Sequence, residues 1–422
     1  MNGNRKSALL ALSSIPLIMT LGNSMLIPVL PEIRRQLQIT PLQTSLLITV
    51  FSVMAILLIP IAGYLSDRIG RKRIIVPSLI IAGIGGGICA AAAIWVGREH
   101  AYIYILIGRI LQGIGAAGAA PIVMPLVGDL FKSEKKVSAG LGLIETSNTF
   151  GKVLSPIIGS LLAWIAWYYP FASIPVFSAI SVLLVLWLVP SPKLEQDPVP
   201  FKEFLHSLGS LFRKKGRWLY VLFALGGVGM FMLFAFLIYL SDVLEDKFHM
   251  KGVMKGAVLA IPLAILCSAS YVTGKVIGEN KRRMKLLTTA GFMLATIASA
   301  ACIWFDSVTG QIIFLSTAGL GIGVALPCLD AFITEGIEQE RRGTVSSFYS
   351  SLRFAGVAAG PPAASLLTGR SADPLFWTLA AIGIMSAMLA WFFIRPGKQA
   401  EERKKERHHS PFHKPKLIRP PS

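Results

Sequence analysis

The side chains best suited to moving a proton in this sequence are ionisable groups inside apolar stretches. Glu145 and Lys152 are seven residues apart and therefore share one face of a helix, with Asn148 between them on nearly the same face. A carboxyl group inside a membrane can bind and release a proton, so Glu145 is the first candidate for a proton carrier. The alternative is a structural ion pair with Lys152 or Arg109. Asp330 is the second candidate, unless it only satisfies the end of its helix.

Cations inside apolar segments form a second group of candidates. Arg109 lies about 12 Å from the end of its segment, at the rise per residue of an α-helix. A cation at this depth is a functional-site candidate, although backbone carbonyls could also satisfy it. If Lys152 and Arg353 both line a cavity, an anionic or acidic amphiphile becomes the favoured substrate. Phe234 and Tyr239 could stack on such a molecule, although single rings of this kind more often pack on other helices or face lipid.

The apolar segments that carry these groups define the class of protein. The chain has 422 residues, of which 54% are hydrophobic and 15% charged, whereas a soluble protein carries roughly a quarter charged residues. Segments long enough to cross a bilayer recur along the whole length, which predicts an all-α membrane protein embedded in lipid. Twelve spans are predicted, at about 8–31, 43–66, 74–96, 101–129, 137–163, 168–190, 217–241, 253–278, 285–305, 309–333, 343–368 and 375–394.

The basic residues follow the topology of these spans. The formal net charge is +19, which would suggest a nucleic-acid partner in a soluble protein, but here the cations lie in loops and in the C-terminal tail. Thirty lysines and arginines lie on one side of the predicted spans and six on the other. The positive-inside rule therefore places both termini and the long central loop in the cytoplasm, and we predict no nucleic-acid partner.

Several other classes of protein are disfavoured by what the sequence contains. The four cysteines lie apart within apolar segments and show no metal-ligand spacing. A phosphate-binding loop of the G-x-x-x-x-G-K-[ST] type is absent from the sequence, which argues against an ATP-driven pump. We therefore predict no metal, no cofactor and no enzymatic activity.

The two halves of the chain resemble each other. Residues 151–156 (GKVLSP) recur as 356–361 (GVAAGP), and the same offset pairs Asn148 with Arg353. A Gly-Ile-Gly triplet at 113–115 also recurs in the second half. Parallel repeats of this kind are one architecture of secondary transporters. The predicted domains are a six-helix bundle at 1–190, a cytoplasmic linker at 191–216, a second six-helix bundle at 217–394 and a disordered basic tail at 395–422.

A charged turn, residues 63–73 (GYLSDRIGRKR), lies between predicted spans 2 and 3. Gly63 leaves room for the close approach of another helix, which we expect to be span 11, and Gly70 permits a positive φ. Asp67 is then predicted to face the start of span 11, near residues 343–344, because a helix N-terminus favours a carboxylate.

The same turn offers partners for a second carboxylate. Arg68 or Arg71 is predicted to meet Asp129 at the end of span 4. In the second half Gly278 takes the place of the acid, so this contact is expected in one half only. The alternative is a basic loop that only sets topology, which accounts for the cations but not for the two glycines and the acid.

Over residues 8–394 the sequence resembles the major facilitator superfamily, and most of all its twelve-span drug/proton antiporter subfamily. Residues 63–73 match the loop 2–3 signature of that family, and residues 105–117, which include Arg109, match its helix 4 signature. The helix 5 signature of antiporters is matched by Gly142, Gly151, Pro156 and Gly159, with Ser155 and Ser160 standing where glycine is expected.

The resemblance implies two pseudo-symmetric six-helix bundles in a monomeric transporter of a bacterial plasma membrane. Such a protein exports a small amphipathic molecule by alternating access, with the proton gradient as its energy source. The resemblance also implies that span 5 faces span 8, that Arg109 takes part in proton transfer, and that the turn is a latch favouring the outward-open state. Some members of the subfamily export siderophores, so a drug or a secreted metabolite is the expected substrate. Proton symport or facilitated uptake is the alternative mechanism, and a membrane sensor without turnover is the alternative class.

Overall fold

The computed structural model describes residues 3–131, 134–190, 217–278, 280–305, 307–336, 339–369 and 371–394, and this part of the chain is almost entirely helical. The predicted linker, 191–216, and the predicted tail, 395–422, lie outside the described residues. The long helices are α1 (Gly3–Ser24), α2 (Pro41–Ile69), α3 (Arg71–Trp95), α4 (Arg98–Leu130), α5 (Glu134–Ile165), α6 (Tyr169–Leu188), α7 (Arg217–Asp246), α8 (Gly252–Val276), α9 (Lys281–Ala301), α10 (Val308–Gly336), α11 (Gln339–Leu367) and α12 (Asp373–Phe393). A 3₁₀ turn at Ile27–Val29 and a short helix at Leu30–Leu37 continue α1.

The ends of α2 show how local sequence sets the helix boundaries. Thr40 and Gln43 form a capping box, in which the Gln43 amide donates to Thr40 Oγ1 at 3.2 Å and the Thr40 amide donates to Gln43 Oε1 at 2.9 Å. Pro41 occupies the first helical position, where its missing N–H costs nothing. The helix ends at Gly70, whose φ is +105°, so the predicted positive φ is confirmed.

Most of the long helices have the length and composition of membrane spans. Among the described residues, 10 helices are long and apolar enough to cross a membrane. The two long helices outside that set are α5 and α11, which carry most of the charged candidates of the central region. Each is held between its own half and the other half, so part of its surface meets protein instead of lipid.

The helices pack as two similar six-helix halves. In the first half α1 packs against α5 and α6, while α4 packs against α2 and α3. In the second half α7 packs in the same way against α11 and α12, while α10 packs against α8 and α9. The main contacts between the halves are α2 with α11 and α5 with α8. The predicted fold class is therefore confirmed, and so is the predicted contact of span 5 with span 8.

The repeated motifs occupy equivalent places in only one of two cases. Gly151 on α5 approaches Leu17 and Thr20 of α1, and Gly356 on α11 approaches Gly227 of α7, which is the equivalent neighbour. The Gly-Ile-Gly triplets differ. The first glycine of the triplet in α4 approaches α2, whereas the first glycine of the triplet in α10 approaches α9, the counterpart of α3. The Gly-Ile-Gly repeat therefore does not pair residues that hold equivalent positions in the two halves.

Candidate functional site

Ionisable side chains from three helices meet between the two halves, near the middle of the bundle. Glu145 and Lys152 lie on α5, Asp330 on α10 and Arg353 on α11, and their charges influence one another. Arg353 Nη1 lies 3.4 Å from Asp330 Oδ1, and its guanidinium carbon lies 5.7 Å from the centre of the Tyr349 ring. We call Glu145, Lys152, Asp330 and Arg353 the central cluster.

Glu145 and Lys152 make no ion pair with each other or with any other described side chain. The carboxylate of Glu145 instead accepts a hydrogen bond from Asn148 Nδ2 at 3.4 Å. Asn148 Oδ1 in turn accepts from Thr20 Oγ1 of α1 at 2.6 Å. The structural ion pair considered for Glu145 is thus not formed in this arrangement, and its role as a proton carrier stays a prediction.

Asn148 and Arg353 hold equivalent positions in the two halves, as their offset in sequence indicates. Asn148 contacts Thr20 on α1, and Arg353 Nη2 contacts the sulfur of Met230 on α7 at 4.0 Å. One half therefore presents an amide to the central region where the other presents a fixed cation.

Arg109 lies fully buried within the first half and is held by four acceptors. Its Nε donates to the carbonyl of Leu47 at 2.7 Å, its Nη1 to that of Gly22 at 3.2 Å, and its Nη2 to Asn23 Oδ1 at 2.6 Å. The fourth acceptor is Gln112 Oε1. No described carboxylate lies within ion-pair distance of Arg109. This geometry corresponds to the alternative in which polar groups of neighbouring helices satisfy the cation, and its part in proton transfer stays a prediction.

The two aromatic candidates are buried within the second half. Phe234 and Tyr239 are each 6% exposed. The Tyr239 ring packs edge-on against Phe376, with centroids 4.8 Å apart, and Phe234 packs near Gly360 of α11. Their predicted contact with substrate is therefore untested by this arrangement, in which both rings pack on other helices.

The charged turn forms an ion-pair triad within the first half. Arg71 Nη1 lies 2.8 Å from Asp67 Oδ1, and Arg71 Nε pairs with Asp129 at the end of α4. Arg71 therefore makes the contact predicted for either Arg68 or Arg71. Arg68 itself is exposed and pairs with no described side chain.

The turn also lies beside the second half. A Cβ atom added at Gly63 would lie 3.6 Å from Ser347 Oγ of α11, so the predicted approach of span 2 to span 11 is present. The predicted contact of Asp67 with residues 343–344 falls on side chains outside the described residues. We call the end of the bundle that carries Asp67, Arg71 and Asp129 the turn end.

The small-residue face of α5 is divided between two neighbours. Gly151 approaches α1 and Gly159 approaches Met25 directly after it, whereas Pro156 and Ser160 lie against Gly256 of α8. A Cβ atom at Gly256 would clash with the Pro156 carbonyl and with Ser160. Ser160, one of the two departures from the antiporter signature, is thus itself part of the contact between the halves. Gly142, the fourth member of that signature, has no atom within 4 Å of an added Cβ.

Charged residues that were not predicted join the halves at the opposite end of the bundle. Lys255 Nζ of α8 lies 2.7 Å from Glu245 Oε2 of α7 and donates to the carbonyl of Pro28 at 2.8 Å. Arg35 of the short helix pairs with the same Glu245 carboxylate, and Arg34 Nη2 lies 2.7 Å from Asp246 Oδ2. We call Arg34, Arg35, Glu245, Asp246 and Lys255 the far-end clamp.

Two members of the clamp are deeply buried. The side chains of Lys255 and Glu245 are 2% and 4% exposed. A signal was available in the sequence, because Lys255 stands inside an apolar segment and Glu245 follows another by a few residues. A count of the charged residues in the loops does not include Lys255 and Glu245, because both lie at the ends of helices.

The comparisons with known proteins agree with this arrangement. The model of the Major Facilitator Superfamily matches residues 12–361. The chain is 53% identical over 396 residues to the bacillibactin exporter of Bacillus subtilis (strain 168), covering 94% of this chain and 98% of that protein. It is 25% identical over 399 residues to the multidrug efflux protein YfmO of the same organism, covering 92% of each chain.

A solved structure shows the same fold. The crystal structure of the human organic anion transporter MFSD10 (TETRAN) aligns with a TM-score of 0.71 at 19% identity, over 92% of this chain and 100% of that chain. Together with the apolar helices, the two Bacillus subtilis relatives and the family model identify a multi-pass transporter of the cell membrane, of the exporter type, and not an enzyme. The chain belongs to the major facilitator superfamily.

Proposed function

We propose that this protein exports a siderophore of the bacillibactin type across the cell membrane in exchange for protons. The observation that carries the proposal is the central cluster, in which Lys152 and Arg353 face each other from the two halves beside Glu145. The similarity to a bacillibactin exporter over nearly the whole chain supports the same substrate class. Drug efflux, as in YfmO, is the broader form of the same activity.

The cations of the central cluster are the groups that bind substrate. Lys152 makes no ion pair with a described side chain, and the ion pair of Arg353 with Asp330 is long, at 3.4 Å. An ammonium group with no counter-ion in the interior is costly, so an acidic group on the substrate would offset that cost. The substrate would therefore place its acidic part between α5 and α11, with Asn148 as a neutral hydrogen-bond partner.

Glu145 is the group that exchanges the proton, with Asp330 as a second carboxyl. Glu145 lies beside the cations of the site and is held by a neutral amide, so a change in its charge alters the balance of the whole cluster. The net charge of the central cluster would then differ between substrate binding and substrate release. Coupling of substrate export to proton movement requires such a difference.

The two ends of the bundle supply the alternating access. We place the turn end in the cytoplasm because the loops of that side carry most of the cations. The far-end clamp then closes the outer side, so that the substrate enters from the cytoplasm. The charged turn lies beside α11 at Gly63. This turn (Gly63, Asp67, Arg68, Gly70 and Arg71), together with Asp129, is the latch that favours the outward-open state. The 1–190 and 217–394 bundles move against each other as units, joined by the cytoplasmic linker at 191–216, and the protein works as a monomer with both termini in the cytoplasm.

Purified protein in lipid vesicles with an imposed pH gradient tests this proposal. Antiport predicts that bacillibactin accumulates on the acidic side, because protons leaving that side drive substrate into it. Glu145→Gln should still bind the substrate, measured by titration, but should lose accumulation. Full accumulation by Glu145→Gln would remove this residue from the role of carrier.

One observation favours proton symport or facilitated uptake as a second candidate. A proton on Glu145 removes a negative charge beside Lys152 and Arg353, and this would strengthen the binding of an anion instead of weakening it. Symport predicts that bacillibactin accumulates on the side of the membrane opposite the acidic side. A protein that binds bacillibactin but moves it down no gradient would be a sensor.

A further inference from the structure

A short polar segment of α1 contacts Arg109 and also Asn148, the hydrogen-bond partner of Glu145. Thr20 Oγ1 donates to Asn148 Oδ1 at 2.6 Å. Two residues further on, the Gly22 carbonyl accepts from Arg109 at 3.2 Å, and Asn23 Oδ1 accepts from Arg109 at 2.6 Å. Arg109 and Glu145 share no direct contact, so this segment of α1 is what connects their surroundings.

The approach of α1 to α5 at this point depends on a glycine. A Cβ atom added at Gly151 would lie 3.3 Å from Thr20 Cβ and 3.3 Å from the Leu17 carbonyl oxygen. These contacts are tighter than most real ones, so a larger residue would push the helices apart. The small residue therefore brings the Thr20 hydroxyl within hydrogen-bond distance of Asn148.

The Thr20 hydrogen bond matches the orientation in which the Asn148 amide faces Glu145 with Nδ2. Because Thr20 donates to Oδ1, the amide offers Nδ2 to the Glu145 carboxylate, at 3.4 Å. This orientation suits an ionised carboxylate, which can only accept. A protonated Glu145 could donate to Oδ1 if the amide turned over, and the Thr20 hydroxyl could then accept from Nδ2, since a hydroxyl both donates and accepts.

We propose that Thr20 is a positioning residue that holds the Asn148 amide as a donor to Glu145 and makes α1 sensitive to the charge of Glu145. This inference rests on the proposed role of Glu145 in proton exchange. The second half has no counterpart, because Met230 stands where Thr20 would be and contacts the fixed cation Arg353. Gly22 and Asn23 of α1 also contact Arg109. A movement of α1 that follows a change in the charge of Glu145 would therefore alter the contacts of this buried arginine as well.

Three variants test the inference in vesicles that show proton-driven export. Thr20→Val keeps the shape of the side chain but removes the hydroxyl. We expect the maximal export rate to fall about three- to tenfold, the effect of losing one buried hydrogen bond, with KM changed less than about twofold. Thr20→Ser should return the rate to within about twofold of wild type. Ser14→Ala is the matched control, because Ser14 also links α1 to another helix, with its Oγ 2.8 Å from Ser181 Oγ.

A double variant and a chemical probe complete the test. Thr20→Val should add nothing further to Asn148→Ala, because both remove the same contact. Labelling of Glu145 by a membrane-permeant carbodiimide measures its protonated form without transport. We expect labelling at neutral pH to become about three- to tenfold faster in Thr20→Val, where the amide can turn away from the carboxylate, and to stay unchanged in Ser14→Ala.

The outcomes separate this inference from the proposed function. Wild-type rates in Thr20→Val, failure of Thr20→Ser to restore export, or additive losses in the double variant would each overturn the positioning role. If wild-type vesicles show no proton-driven export, the proposed function fails. The labelling rates then still decide the inference, and equal rates in wild type and Thr20→Val would refute it.

Discussion

Removal of the Lys255 ammonium is the most direct test of the far-end clamp. Lys255→Met keeps most of the volume of the side chain but deletes the cation, and with it the contacts to Glu245 at 2.7 Å and to the Pro28 carbonyl at 2.8 Å. The first contact lies within α7 and α8 of one half, while the second crosses to the other half. The change therefore weakens the clamp and also leaves a buried carboxylate with one partner fewer.

The size of the effect follows from the burial of the pair. Breaking a buried ion pair by removing one partner costs about 3–5 kcal/mol. Arg35 still pairs with Glu245, so the lower end of this range, about 3 kcal/mol, is the appropriate figure. The cost falls on the closed far end, because opening exposes Glu245 to water. About 3 kcal/mol corresponds to a shift of roughly 150-fold in the equilibrium between closed and open far ends. A far end that is open in about one molecule in a hundred would become open in most molecules.

Distance measurements between spin labels would report this shift. Gln38→Cys and Lys247→Cys place labels on exposed positions, one directly after the short helix and one in the α7–α8 loop, with the four native cysteines replaced by alanine. Lys255→Met should convert a short distance into a mainly longer one. Lys251→Met is the matched control, since it removes an exposed cation four residues away and should leave the distance unchanged.

A second variant guards against a simple folding defect. Replacing both partners, Lys255→Met with Glu245→Leu, removes the uncompensated charge, and such replacements cost far less than breaking one side of a pair. The melting temperature should therefore recover in large part, whereas the longer distance should remain, because the double variant also lacks the contact of Glu245 with Arg35. A closed far end in folded Lys255→Met protein would refute the idea that this contact holds the halves together.

Three further changes have expected outcomes of different size. Gly256→Ala should lower the free energy of unfolding by about 1–3 kcal/mol, because the added Cβ meets α5. Gly274→Ala on the same helix should leave the free energy of unfolding unchanged, because its Cβ meets nothing within 4 Å. Thermal unfolding in detergent measures both variants. Asp67→Asn should slow transport by up to about fivefold while leaving insertion intact, since the Asp67 side chain in the pair with Arg71 is 60% exposed. Arg68→Gln should behave as wild type, and unchanged transport in Asp67→Asn would reduce the turn to a topology signal. Arg109→Lys should abolish most transport and lower the melting temperature by several degrees, because a single ammonium cannot donate hydrogen bonds to all four acceptors around the guanidinium. A melting temperature equal to that of the wild type would contradict this account.

The parts of the fold that could be predicted depend on local properties of the chain. Hydropathy indicated the long helices, and glycine spacing indicated where they approach each other. Gly70 has the positive φ expected of it, and Gly63 lies beside α11. Each of these features requires only a helix and the size of one residue, so the sequence pattern was sufficient.

The arrangement of charges required tertiary contacts that no local pattern contains. Glu245 and Lys255 come from two helices joined by a loop, and their third partner is a backbone carbonyl at Pro28 in the other half. In the same way, Arg109 was a possible partner for Glu145 on grounds of charge alone. The structure instead surrounds it with acceptors from α1, α2 and its own helix, because the guanidinium can reach several carbonyl and amide oxygens at once.

The placement of ion pairs also determines where switching between states meets resistance. At the centre, Arg353 pairs with Asp330 inside the second half, and Glu145 is held by Asn148 inside the first. The central cluster can therefore open without breaking any ion pair between described side chains. At the far end, every opening must separate Arg35 from Glu245 and Arg34 from Asp246, and must also remove the Pro28 carbonyl from Lys255. Under the proposed alternating access, substrate and proton at the centre can shift the equilibrium only by as much as they offset the contacts of the far-end clamp, so the clamp opposes the outward-open state that the charged turn favours.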